Sequence, residues 1–222
     1  MNLIIFRCKL TECILKRLHL FIEKKTYGQS ALKFNLYHKD DLHLKTDTHN
    51  MALIKSVRGH TPQYGKNCFF AENATIIGEV VMGDNCSVWF NAVVRADVHS
   101  ITIGNNTNIQ DGAVIHCTYQ KAKTVIGNNV SIAHNAIVHG CTIEDNVLIG
   151  MGAIVMDHAV VQSGAIVAAG AVILAGTVVE SGYIYAGMPA KKIKPVGEEM
   201  QEIFSRTANN YIMYAQWYHS DT

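Results

Sequence analysis

The stretch Ile143-Glu144-Asp145-Asn146-Val147-Leu148-Ile149-Gly150-Met151-Gly152-Ala153-Ile154-Val155-Met156-Asp157-His158-Ala159-Val160-Val161 repeats itself every six residues. Large aliphatic side chains stand at Ile143, Ile149, Val155 and Val161, and the series continues through Val167, Ile173 and Val179. Four residues after each mark comes a smaller or compact one: Val147, Ala153, Ala159, Ala165, Ala171 and Thr177. A helix repeats near 3.6 residues and a half-buried strand near 2, so neither explains two in-phase series of period six. The period fits a hexapeptide solenoid, in which each hexapeptide is one short strand plus a turn and three make a triangular coil. The large residue fills the interior, and the small one fits beside the corner.

Upstream the same pattern persists, with interruptions. Phe70, Ile76, Met82, Val88 and Val94 keep the period; a nine-residue step leads to Ile103, Ile109 and Ile115. An eleven-residue step leads to Ile126, Ile132 and Val138, and a five-residue step to Ile143. Compact residues follow in phase at Ala74, Val80, Cys86, Ala92, Thr107, Ala113, Val130 and Ala136. The long steps are expected to be loops bulging from corners. Gly104-Asn105-Asn106 and Gly127-Asn128-Asn129 are expected to supply turns with positive φ.

The flanks differ. Residues 1–50 carry no repeat and read as a dispensable extension or, alternatively, a targeting or docking helix; organised sequence begins near Met51 and runs to about residue 195. From 196 to 222 the period gives way to a helix over Glu198 to Tyr218, with an apolar stripe of Met200, Ile203, Phe204, Ala208, Tyr211, Ile212, Ala215 and Trp217 expected to cover one face of the prism. The fold expected is thus all-β, a parallel β-helix closed by a C-terminal α-helix.

Bulk properties narrow the function. A net charge of +1 over 222 residues leaves no electrostatic footprint for nucleic acid. No apolar run is long enough to span a membrane, and the start Leu3-Ile4-Ile5-Phe6 is cut short by Arg7 and Lys9, too short for a signal sequence. The six cysteines form no Cys-x-x-Cys pair, which suits reduced thiols in a cytoplasmic protein.

Counting strands instead of residues places the chemistry. Val94, Ile115 and Val138 fall on one face in successive coils, so Arg95, His116 and His139, each one residue later, form an exterior column. Asp111 and His134, two residues after Ile109 and Ile132, stack at the end of the preceding face. Two imidazoles on adjacent rungs, about 4.8 Å apart along the sheet, can converge on one ion. A catalytic zinc takes three protein ligands and leaves a fourth position to water. His134 can complete such a set only from a second subunit, and a cyclic trimer does this three times. His158 reads as structural.

Residues 51 to about 194 resemble the γ-class carbonic anhydrases. The resemblance rests on Val94-Arg95-Ala96-Asp97, Asn108-Ile109-Gln110-Asp111-Gly112-Ala113-Val114-Ile115-His116, Ile132-Ala133-His134-Asn135-Ala136-Ile137-Val138-His139-Gly140-Cys141 and Tyr185-Ala186-Gly187-Met188-Pro189-Ala190-Lys191. It implies a left-handed β-helix, a homotrimer and a Zn2+, Fe2+ or Co2+ centre held by His116 and His139 of one subunit and His134 of the next. It implies an intersubunit salt bridge between Arg95 and Asp97, a hydroxide-orienting role for Gln110 with Asp111 in its network, and a position near the metal for Tyr185. The implied reaction is that of a carbonate dehydratase, a lyase: reversible hydration of CO2 to bicarbonate by a water whose pKa the cation lowers to about 7.

The chain departs from the best-characterised active members at the proton exit. They carry a glutamate after Arg-x-Asp and an acidic loop after the first ligand; here those places hold Val98 and the carboxylate-free Cys117-Thr118-Tyr119-Gln120-Lys121-Ala122-Lys123. His99 and Tyr119 are the substitutes in reach. Two other readings stay open on the same fold: a metal-dependent thioesterase, and a coenzyme A-dependent acyltransferase or binding protein. Fold alone does not choose among them.

Overall fold

The computed structural model describes residues 52–220. Residues 1–50, expected to be an extension, lie outside the described residues, as does the side chain of Met200. The rest is a solenoid of about seven turns built from mostly parallel sheets and closed by one helix.

Most strands are two or three residues long, because a corner follows as soon as a large side chain has entered the interior. Each strand pairs in parallel with the strand one coil on, as in Ile143↔Val161, Ile149↔Val167 and Val155↔Ile173. The marks from Ile76 to Val179 are buried, and only Phe70, at the start of the series, is partly exposed. A buried Val or Ile contributes about 1.5–3 kcal/mol relative to exposure, so the regular column is the main source of stability. Of the compact series, Thr177 alone is incompletely buried.

Strand order resolves into a twelve-stranded and an eight-stranded sheet. The larger one spans two faces because the strand Val93–Ile103 runs through a corner. Its first half pairs with Val114–His116 (Val94↔Ile115) and its second with Thr124–Ile126 (Ile103↔Ile126). The nine-residue step is thus absorbed as extended strand, while the eleven-residue step is a loop pinned by the bridge Thr118↔Ala122.

At one corner the turn is made by asparagines. Asn85, Asn106, Asn129 and Asn146 have φ of 53–57° and are linked edge to edge, Asn85 Nδ2 donating to Asn106 Oδ1 at 3.1 Å and Asn106 to Asn129 likewise. Asn tolerates the left-handed region at small cost. The neighbouring glycines serve otherwise than expected: Gly104 and Gly127 are not in that region. A β-carbon on Gly127 would lie 2.3 Å from Asp145 Oδ1, so glycine is needed there for close approach of coils.

The helix Glu198–Ser220 begins with Glu198 and Glu199 in its first turn, where negative charge complements the helix dipole. Phe204 packs with Ile166 and Val196, and Tyr211 meets Trp89 edge to face at 5.3 Å between centroids. Ala208 and Ala215 are buried as well. The helix therefore covers the eight-stranded sheet and leaves the His116–His139 face open. Among the described residues no helix is long and apolar enough to cross a membrane.

Candidate metal centre

His116 ends the strand Val114–His116 and His139 ends Ile137–His139; the two are direct register partners. Parallel pairing puts both imidazoles on the same outer face, with His116 Nδ1 and His139 Nε2 3.1 Å apart. The outward nitrogen of each ring meets a carboxylate: His116 Nε2 lies 3.1 Å from Asp97 Oδ1, and His139 Nδ1 lies 2.5 Å from Asp157 Oδ1. Asp97 also accepts from Arg95 Nη1 at 2.6 Å. Within the chain, Arg95 and Asp97 pair with each other. Arg95 and Asp97 are alternate residues of one strand, so both project outward while Ala96 is buried between them.

The protonation pattern follows from these partners. Burial pushes the His116 pKa down; Asp97 opposes that, and the charge of Arg95 adds to it, leaving the ring neutral at neutral pH. Burial works against ionisation of Asp97, but hydrogen bonds from Arg95 and His116 outweigh it and hold the carboxyl below its usual range. The same holds for Asp157, where Thr118 and His139 outweigh burial. An ionised carboxylate only accepts. A neutral His116 therefore places its proton on Nε2, and His139 places one on Nδ1. The other two ring nitrogens, His116 Nδ1 and His139 Nε2, approach each other to 3.1 Å. Two zinc–nitrogen bonds of about 2.0–2.1 Å at a tetrahedral angle would put the nitrogens about 3.3 Å apart. The pair fits a divalent cation in both donor chemistry and spacing.

His134 follows the strand Ser131–Ile132 of the eight-stranded sheet, on a different face. Its Nδ1 lies 2.9 Å from Asp111 Oδ2, and Asn135 N donates to the Asp111 carbonyl, which confirms the stacking expected from the repeat. Thus all three histidines have an aspartate on one nitrogen. Among the described residues no three His, Cys, Asp or Glu side chains of the chain converge on one point.

Gln110 is buried, and its Nε2 donates to Asn108 Oδ1 at 2.9 Å, while Asn108 donates to Ser131 Oγ at 2.9 Å. Tyr185 pairs with Val167 on the eight-stranded sheet, and its hydroxyl lies 3.5 Å from Glu180 Oε1, so within one chain it joins neither the His116–His139 pair nor its aspartates. His99 and Val98 border a pocket beside Asp97 that Arg58, His60 and Glu79 also line. Glu79 is brought in from the preceding coil, a contribution that inspection of the segment after Arg95 alone does not reveal.

Asp157, Thr118 and Thr124 were not singled out by sequence. Thr124 Oγ1 donates to the His116 carbonyl at 2.6 Å and accepts from Gly140 N, tying the two ligand-bearing strands together. Asp157 stands one coil beyond His139. The five-residue step makes the register there seventeen, Val138↔Val155, so Asp157 falls opposite Gly140 and one position off the histidine column. A column count that carried this step through would have found it.

The fold and paired histidines define a class: a hexapeptide-repeat β-helix with a His–Asp exterior site. Residues 140–175 match the family model described as bacterial transferase hexapeptide (six repeats). The chain is 39% identical over 166 residues to a carbonic anhydrase of Geobacillus kaustophilus, covering 75% of this chain and 91% of that one. It is 38% identical over 173 residues to the mitochondrial γ carbonic anhydrase 2 of Arabidopsis thaliana, covering 76% of this chain and 62% of that one. A crystal structure of a hexapeptide transferase family protein from Anaplasma phagocytophilum superposes with a TM-score of 0.72 at 41% identity, covering 75% of this chain and 98% of that one. The chain belongs to the γ-carbonic anhydrase-like hexapeptide-repeat family.

Proposed function

We propose that the protein is a metal-dependent carbonic anhydrase of the γ type, a homotrimer with one divalent cation, Zn2+ or alternatively Fe2+ or Co2+, at each subunit interface. The observation that carries this reading is the approach of His116 Nδ1 and His139 Nε2 to 3.1 Å on one outer face, each ring held by an aspartate on its other nitrogen. His116 and His139 of one chain would hold the cation, with His134 of a neighbour as third ligand. His134 is on another face of its own chain and has Asp111 on Nδ1, which leaves Nε2 as the ligating atom. Bound there, the cation supplies an acidified water for attack on CO2.

The chain's own residues do the rest. Asp97, braced by Arg95, sets the proton of His116 and keeps its ring from turning. Asp111 does the same for His134. Gln110, its amide fixed by Asn108, is the group proposed to orient the reacting water. Tyr185 is proposed to approach the centre only across the subunit boundary.

CO2 hydration by protein reconstituted anaerobically with zinc and with iron tests the reading. Activity that requires the metal supports it, and a fully loaded but inactive protein contradicts it. A second reading, coenzyme A-dependent acyl transfer, is favoured by the family-model match and by the Anaplasma relative. It requires no three-histidine centre, so activity toward acyl-coenzyme A in metal-free protein would select it.

A further inference from the structure

Asp157 is the least expected partner in the site, and its two oxygens have separate work. Oδ1 lies 2.5 Å from His139 Nδ1, and Oδ2 accepts a hydrogen bond from Thr118 Oγ1 at 2.5 Å. Thr118 belongs to the loop after His116, where the bridge Thr118↔Ala122 fixes its place. Gly140, opposite Asp157, leaves room for the carboxylate: a β-carbon there would lie 2.3 Å from Asp157 Oδ1 and 2.8 Å from the Ala122 Cβ. Three separate segments thus converge to hold one carboxylate against one nitrogen of one histidine.

We infer that Asp157, clamped by Thr118, is the positioning residue that fixes His139 as an Nε2 ligand, and that the loop over residues 117–123 serves metal capture. The inference rests on the metal-centre reading above. A carboxylate on Nδ1 commits the imidazole proton to that side, orients the ring and raises the basicity of Nε2. The loop carries no carboxylate of its own, yet through Thr118 it holds one from the next coil.

The test is metal affinity, independent of turnover. Purified full-length wild type, Asp157→Asn, Asp157→Ala, Thr118→Val and Thr118→Ser are stripped and titrated with Co2+ and Zn2+ against a competing chelator, and thermal unfolding of each metal-free protein is recorded. Loss of a histidine's outer partner typically weakens metal binding about 10–100-fold, and both Asp157 variants are expected in that range. Thr118→Val is expected to weaken binding less, and Thr118→Ser, which keeps the hydroxyl, to restore it. The metal-free Tm should not account for the loss: Thr118→Val and Thr118→Ser should melt together and bind differently. Asp157→Asn binding as tightly as wild type overturns the inference alone. If the Asp157 variants do not fold, equal affinities for Thr118→Val and Thr118→Ser overturn it. A wild-type chain that takes up no cation overturns the metal-centre reading and this inference with it.

Discussion

Gly140 and Asp157 face each other across adjacent coils so closely that a β-carbon on Gly140 would lie 2.3 Å from Asp157 Oδ1. Gly140 also has φ +58°, where a side chain is strained. Gly140→Ala is therefore expected to lower stability by about 1–2 kcal/mol from backbone strain and to push Asp157 off His139. Chemical denaturation and metal titration of the variant check both effects. Unchanged metal affinity would mean that the carboxylate finds its place without the gap.

Cys68 and Cys86 stack one coil apart and are expected to react very differently. The Cys86 thiol alongside, working against burial, lowers the Cys68 pKa to about 7, while Cys86, whose own thiol donates to the Gly104 carbonyl at 3.0 Å, is held protonated well above the usual thiol range by the Cys68 contact and by burial. Burial pushes Cys141 up to about 12. A lowered pKa means more thiolate at a given pH, so alkylation of Cys68 should rise through pH 7 and level off near pH 8. Cys86 and Cys141 should stay unmodified in the native protein. Peptide mapping after iodoacetamide at pH 6, 7 and 8 reads the order.

The repeat made most of the solenoid legible, because a side chain that must enter a narrow interior recurs wherever the chain turns inward. It also put His116 opposite His139 and Asp111 beside His134, since parallel pairing carries register from coil to coil. What it hid were contacts between positions one residue out of register. Asp157 reaches His139 from one position off the histidine column, since the register Val138↔Val155 sets it opposite Gly140. Arg95 and Asp97 pair within one strand, where only the outward alternation of side chains decides the partner. Gly127 looked like a turn residue and is instead a spacer between coils. Glu79 enters the Asp97 pocket from a coil that no local motif connects to it.

Proton export is expected to limit CO2 hydration. Val98 and the loop over residues 117–123 offer no carboxylate, and the acids and imidazoles lining the pocket beside Asp97 are His60, Glu79 and His99. Transfer by a positioned acid or base is typically a factor of about 10² to 10⁴. Imidazole buffer and Val98→Glu should each raise kcat with little change in metal affinity, and His99→Ala should lower kcat and enlarge the buffer effect. Hydration indifferent to both buffer and Val98→Glu would remove this explanation.

Residues 1–50 are expected to be dispensable for the metal site. The strand Leu53–Lys55 already pairs with Thr75–Ile77, so the solenoid is closed from that point on. A chain begun at Met51 should keep the metal content and oligomeric state of the full chain, measured by metal analysis and light scattering. Loss of either would assign the extension a part in assembly.

The central claim is that one cation is shared between chains, with His116 and His139 from one and His134 from the next. His116→Ala and His134→Ala chains, each unable to build a complete site alone, are mixed under conditions of demonstrated chain exchange and loaded with Co2+. Where His134 of a His116→Ala chain meets His116 and His139 of a His134→Ala chain, all three ligands are present. The visible absorption of four-coordinate cobalt should appear on mixing and be absent from either variant alone. Exchanged mixtures that bind no more cobalt than the separate variants would contradict it.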